Sequence, residues 1–113
     1  MRALLLAAGL GTRLRPITDK IPKCLVPIQG RPLLEIWLDK LCEVGVQEFL
    51  VNTHYLAVQV EEFISNSRYQ QVVSMVNESN LLGTAGTLHE NIDFFRGQDG
   101  MLIHADNFCL ADF

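Results

Sequence analysis

Ala3-Leu4-Leu5-Leu6-Ala7-Ala8-Gly9-Leu10-Gly11-Thr12-Arg13-Leu14-Arg15-Pro16 lies at the start of the chain, and its reading decides the rest. Ala3 to Ala7 is a continuous apolar run that stops at Gly9, which is the pattern of a strand buried on both faces of a parallel sheet. Two glycines directly after such a strand let the backbone turn sharply and aim consecutive N–H groups at an anion. That is the geometry of a phosphate cradle. It is not a dinucleotide fingerprint, because Leu14 stands where the third glycine would be and no helix follows directly. Nor is it a P-loop, since the Gly-Lys-Ser/Thr ending is missing. For Gly-x-Gly alone, a tight surface turn with solvated arginines is the plainer reading; the succeeding Thr12-Arg13-Leu14-Arg15-Pro16 favours binding.

Working outward, the segment from Gly9 to Gly30 shows no periodicity and contains Pro16, Pro22 and Pro27, so it is expected to be a loop rather than a helix. At about 20 residues it exceeds the ~12 to 15 of most structureless connections, a length usually kept for function. From Pro32 to Val44 the residues Leu34, Trp37, Leu38 and Leu41 recur at helical spacing, with Pro32 suited to a first turn and Gly45 to a C-terminal cap. Glu48 to Thr53 reads as a strand, Leu56, Val60, Phe63 and Ile64 as a helix, and Val72 to Val76 as a strand. A turn at Ser79 and Asn80 precedes a helix marked by Ala85, Leu88, Ile92 and Phe95, and Met101 to Ile103 is the last strand. Such alternation predicts an α/β fold: a mostly parallel sheet with helices on both faces and ligands beyond the carboxyl ends of the strands.

The chain's 113 residues, 49% of them hydrophobic, suit one domain with a core of its own. A net charge of -4, from 9 basic and 13 acidic residues, argues against nucleic acid as the main partner. The distribution is uneven: Arg13, Arg15, Lys20, Lys23 and Arg31 cluster against the single acid Asp19, so a small anionic ligand could be held there. The run Ala3 to Ala8 falls far short of the ~20 residues of a membrane span, and the basic segment after it is wrong for a signal-peptide cleavage site. Cys24, Cys42 and Cys109 are odd in number and form no CxxC pair, so neither a disulfide framework nor a zinc site is expected. A cytoplasmic location fits these features.

Pro22-Lys23-Cys24-Leu25-Val26-Pro27 carries a second candidate. The prolines stiffen the chain around Lys23, whose ammonium can then meet a phosphoryl oxygen; Cys24 reads as a small buried hydrophobe. Taken together, Gly9-x-Gly11-Thr12-Arg13-Leu14-x-Pro16-x-Thr18, Pro22-Lys23-x-Leu25-x-Pro27 and Gly30-x-Pro32 resemble the signature of the sugar-1-phosphate nucleotidylyltransferases, most closely the mannose-1-phosphate guanylyltransferase group. The resemblance continues through Glu78 and Leu81-Leu82-Gly83-Thr84-Ala85-Gly86, similar to the family's nucleobase segment, and reaches Asp106, similar to its first metal-binding aspartate.

The resemblance implies a Rossmann-like fold and a reaction in which a sugar-1-phosphate oxygen attacks the α-phosphorus of a nucleoside triphosphate, giving a nucleotide-sugar and pyrophosphate. It implies Arg13 and Lys23 as catalytic residues. It implies a nucleotide site of Leu6, Ala7, Ala8, Gly9, Gly11, Thr12, Arg13, Lys23, Glu78, Gly83, Thr84 and Ala85, with Mg²⁺ at Asp106. GTP is the expected nucleotide, because a carboxylate at Glu78 accepts hydrogen bonds and guanine offers two adjacent donors. Mannose-1-phosphate or a related hexose or heptose phosphate is the expected acceptor. Residues 1–113 would be the nucleotide-binding part of a domain whose sugar-phosphate part and second metal-binding aspartate lie outside them; Asp112 reads as a solvated acid. Apolar surface left uncovered in this way would favour a homo-oligomer.

Ala105 departs from the glycine usual before the family's aspartate. His104 stands two residues before Asp106, on the same face of an extended segment, but Mg²⁺ prefers oxygen ligands. His54 and His89 read as surface or packing residues. Competing readings are a non-catalytic nucleotide-sensing or assembly subunit of the same fold, and a uridylyl- or thymidylyltransferase. A dinucleotide-binding oxidoreductase is disfavoured by Asn52 and Thr53, which occupy the strand end where a ribose-binding acid would sit.

Overall fold

In a computed structural model of the chain, residues 1–8, 20–78, 83–97 and 99–105 are described, apart from the Thr84 side chain. The first strand, β1 (Arg2–Leu6), is central. It pairs in parallel with β4 (Glu48–Thr53) on one side and β6 (Gly100–His104) on the other, and β5 (Val73–Asn77) extends the sheet beyond β4 in the order β5-β4-β1-β6. This is the parallel sheet that the alternating pattern predicts. Ala3, Leu4 and Leu5 have no exposed surface, as a strand with neighbours on both edges and layers on both faces requires.

Side-chain alternation divides the core into two layers. Ala3, Leu5, Ala7, Phe49 and Val51 face α1 (Leu33–Glu43) and α2 (Ala57–Ser65), meeting Leu34, Trp37, Leu38, Leu41, Val60 and Ile64. Leu4, Leu6 and Leu50 face the other way and meet Leu88 of α3 (Gly83–Glu90), with Phe94 and Phe95 of the 3₁₀ turn after it. Helices therefore cover both faces. The last predicted helix is two pieces, α3 and the turn Ile92–Phe95. At the junction Asn91 sends both its backbone N–H and its side-chain Nδ2 to the carbonyl of Thr87, which uses that acceptor locally instead of continuing a regular helix.

The predicted loop also holds more structure than its prolines suggest. Lys23–Leu25 is a 3₁₀ turn, and β2 (Pro27–Ile28) pairs antiparallel with β3 (Arg31–Pro32) around Gln29-Gly30. Both turn residues have positive φ, 52° and 81°, the primed geometry that lets a two-residue turn match strand twist. Arg31, counted above among the cradle cations, is drawn instead into ion pairs with Glu35 and Asp39 of α1, which raise its pKa. Asp39 also accepts from Arg68 at 2.6 Å and from the Tyr69 hydroxyl, tying this hairpin to the segment after α2. Residues 9–19, the Ser79-Asn80 turn, Asp106, Cys109 and Asp112 lie outside the described residues. Cys24 is buried and Cys42 exposed.

Helix α1 begins directly after Pro32, whose ring pre-sets the entry, and ends at Gly45 as its sequence predicts. Gly45, at φ 100°, donates its N–H to Cys42, and Val46 donates to Leu41, the paired bonds of a Schellman cap. A side chain at that φ is strained. Gly45→Ala should therefore lower stability by about 1 kcal/mol or more, read as a fall in the urea midpoint with an unchanged slope.

Candidate functional site

Strand order reverses around β1: the chain moves outward through β4 and β5, then returns across α3 to place β6 on the other side of β1. The crevice of such a sheet opens beyond the carboxyl ends at this switch. Leu6 pairs with His104 there, and Ala105 donates its N–H to the Leu6 carbonyl at 3.1 Å. Leu6, Ala7 and Ala8, all buried, lead into the Gly9 segment, while Ala105 is the last described residue before Asp106. The two strand ends predicted to serve phosphate and metal are thus neighbours in the sheet.

Behind them sits a buried polar cluster. Asn52, at the end of β4, has its Oδ1 2.6 Å from the Ala7 backbone N–H, which it accepts, and its Nδ2 donates to Glu78 Oε2 at 3.2 Å. The Thr87 hydroxyl of α3 donates to the same Glu78 oxygen at 2.5 Å. Glu78 follows β5 and is 6% exposed; its N–H donates to the Thr53 carbonyl at 2.7 Å, and its own carbonyl accepts from His54 Nδ1. That acceptor fixes the His54 tautomer with hydrogen on Nδ1. The ends of β4 and β5 and one helix therefore meet at one carboxylate, and Asn52 ties the end of β1 to it.

Asn52 and Thr87 carry this cluster, and neither was singled out as a site residue from the sequence. The available signal is a polar residue inside an apolar strand, Phe49-Leu50-Val51-Asn52, at a position whose face the pattern assigns to the core. A buried amide there needs partners.

The other described candidates lie on separate elements. Lys23 begins the 3₁₀ turn and is half-buried. Gly83, at φ 74°, starts α3, with Thr84 and the exposed Ala85 following. Gly9, Gly11, Thr12, Arg13 and Asp106 lie outside the described residues. Among the described residues no three His, Cys, Asp or Glu side chains gather as a metal site, and His104 is exposed. No helix among the described residues is long and apolar enough to cross a membrane.

Residues 2–113 match the Nucleotidyl transferase family, and the chain belongs to it. It is 33% identical over its whole length to N-acetylmuramate alpha-1-phosphate uridylyltransferase of Neisseria meningitidis, covering 50% of that protein. Over 97% of its length it is 32% identical to mannose-1-phosphate guanylyltransferase of Mycobacterium tuberculosis, covering 31% of it. Among solved structures, HddC from Yersinia pseudotuberculosis complexed with GMP-PN superposes with a TM-score of 0.83 at 28% identity, over 98% of this chain and 50% of that one. The chain thus spans half or less of the length of these relatives.

Glu78 is the keystone of the cluster. Replacing it with leucine would leave the buried Asn52 and Thr87 donors unsatisfied, at roughly 1 to 3 kcal/mol each. Glu78→Leu should lower stability by about 2 kcal/mol or more in urea denaturation, and Glu78→Gln by less, since an amide oxygen can still accept from both donors, though without the charge.

Proposed function

We propose that residues 1–113 form the nucleotide-binding part of a sugar-1-phosphate nucleotidylyltransferase, and that the rest of the relatives' length carries the sugar-phosphate part. The observation that carries the reading is the convergence of Ala7, Asn52 and Glu78 at the carboxyl ends of β1, β4 and β5, directly before the Gly9-x-Gly11-Thr12-Arg13 sequence. Family membership supports the reaction class.

In this reading an ionised phosphate oxygen of the sugar-1-phosphate attacks the α-phosphorus. The new P–O bond forms as the bond to the β-phosphate oxygen breaks, and pyrophosphate leaves. The nucleophile needs no general base, so catalysis rests on alignment and charge neutralisation. Backbone N–H groups of Gly9 to Thr12 cradle the triphosphate, and Arg13 and Lys23 neutralise the charge that develops on it. Leu6, Ala7 and Ala8 floor the nucleotide site, while Gly83, Thr84 and Ala85 border the base. Asp106 is the residue proposed to hold Mg²⁺, which when bound neutralises phosphate charge.

GTP is the proposed nucleotide and mannose-1-phosphate, or a related hexose or heptose phosphate, the proposed acceptor. The names of the mycobacterial relative and of the Yersinia complex support guanine, whereas the Neisseria relative is a uridylyltransferase. The carboxylate of Glu78 only accepts hydrogen bonds, and guanine offers it two adjacent donors, N1–H and the exocyclic amine. One charge-assisted bond contributes roughly 1.5 to 3 kcal/mol, and the uracil or thymine N–H lies between carbonyls that the carboxylate repels. A guanine preference of about tenfold is the consequence.

Titration with all four triphosphates in Mg²⁺ should show GTP binding tightest, and GTP with Mg²⁺ should raise the melting temperature. Arg13→Ala and Lys23→Ala should each remove most of that rise while the apo protein melts as before. Equal affinity for GTP and UTP would remove the guanine assignment, and an unchanged rise in both variants would remove the cradle. A polypeptide of residues 1–113 alone should release no pyrophosphate on adding mannose-1-phosphate, because the proposed acceptor site lies outside it.

A further inference from the structure

We propose that Asn52 is a positioning residue that couples the base-reading and phosphate-binding ends of the nucleotide site, an inference that rests on the nucleotide reading above. Its two amide atoms do different work. Oδ1 accepts the N–H of Ala7, the second peptide before Gly9, so it sets where β1 releases the chain into the cradle sequence. Nδ2 donates to Glu78 Oε2, so it sets how the carboxylate is presented at the base segment. Asn52 is 3% exposed and its amide plane holds both bonds at once, so neither end can be displaced without turning the other. Only an amide supplies an acceptor and a donor in one rigid plane at this distance; a carboxylate would repel Glu78 and a hydroxyl would be too short.

Thr87 makes the arrangement asymmetric. Its hydroxyl donates to the same Glu78 oxygen but makes no bond to Ala7, so it supports the base end alone. Its oxygen lies 3.5 Å from Asn52 Nδ2, at the outer limit of a hydrogen bond, so the amide keeps its orientation chiefly through Ala7 and Glu78. The two residues therefore differ in what their loss should disturb. Removing Asn52 releases both ends of the site, whereas removing the Thr87 hydroxyl releases the base end. The carboxyl group of Glu78 stays in the protein in both cases.

The test measures two ligands on the wild-type chain, Asn52→Ala and Thr87→Val, at a temperature where circular dichroism shows each folded. One readout is affinity for inorganic tripolyphosphate, which reports the phosphate end. The other is the ratio of affinities between the tightest and weakest bound of the four nucleoside triphosphates, which reports the base end. Asn52→Ala should lose about tenfold in tripolyphosphate affinity and bring the ratio towards one. Thr87→Val should lower the ratio, with the loss falling on base discrimination rather than on tripolyphosphate.

A folded Asn52→Ala with both readouts as in the wild type overturns the proposal, since a purely structural amide would alter only the melting temperature. If Asn52→Ala does not fold, Thr87→Val decides: equal loss of both readouts, or of neither, overturns the asymmetry on which the coupling is argued. A wild-type chain that binds tripolyphosphate and the triphosphates while the variants are unaffected removes this inference alone. One that binds none of them removes the nucleotide reading and the inference together.

Discussion

A carboxylate with almost no exposed surface has to be met by donors, and the chain supplies them to Glu78 from two different elements. Burial without Asn52 and Thr87 would cost more than the surrounding apolar contacts return, so the position of the β5 end, the pitch of α3 and the exit of β1 are set together. This differs from a core of interchangeable aliphatics. Leu50 two positions earlier can be replaced by another hydrophobe of similar volume with modest loss, but Asn52 has no isostere that both accepts from Ala7 and donates to Glu78.

How much of this was legible in the sequence depends on the range of the interaction. Strand β4 falls on Glu48–Thr53 as predicted, and α1 lies within one residue of its predicted limits at both ends, because a short apolar run, Pro32 and Gly45 act locally. The last helix was read as continuous because Ile92 and Phe95 keep helical spacing, yet Asn91 ends the regular part through its side chain. The hairpin at Gln29-Gly30 was hidden by prolines, which two-residue edge strands tolerate.

For the site, local motifs name Leu6, Ala7 and Ala8 at the end of β1 and Glu78 at the end of β5, and Asn52 of the intervening β4 links Ala7 to Glu78. Arg31 was misassigned in the cation count because Glu35 and Asp39 stand four and eight residues away on a helix that brings them to one side. Asn52 and Thr87 escaped for the opposite reason. Their partners are far away in sequence, and nothing beside them in the chain indicates that a carboxylate will be there.

The pairing of β1 with two strands far from it in sequence also bears on how the protein reaches this structure. Arg2 finds Glu48 on one edge but Gly100 on the other, so the most apolar strand has one flank open until β6 is available. Contacts of such long sequence separation are slow to close, and an uncovered apolar edge invites pairing with another chain in the interval. Synthesis from the N-terminus lengthens that interval, since β1 emerges well before β6. The open edge of β1 is therefore where a growing chain is most exposed to mispairing.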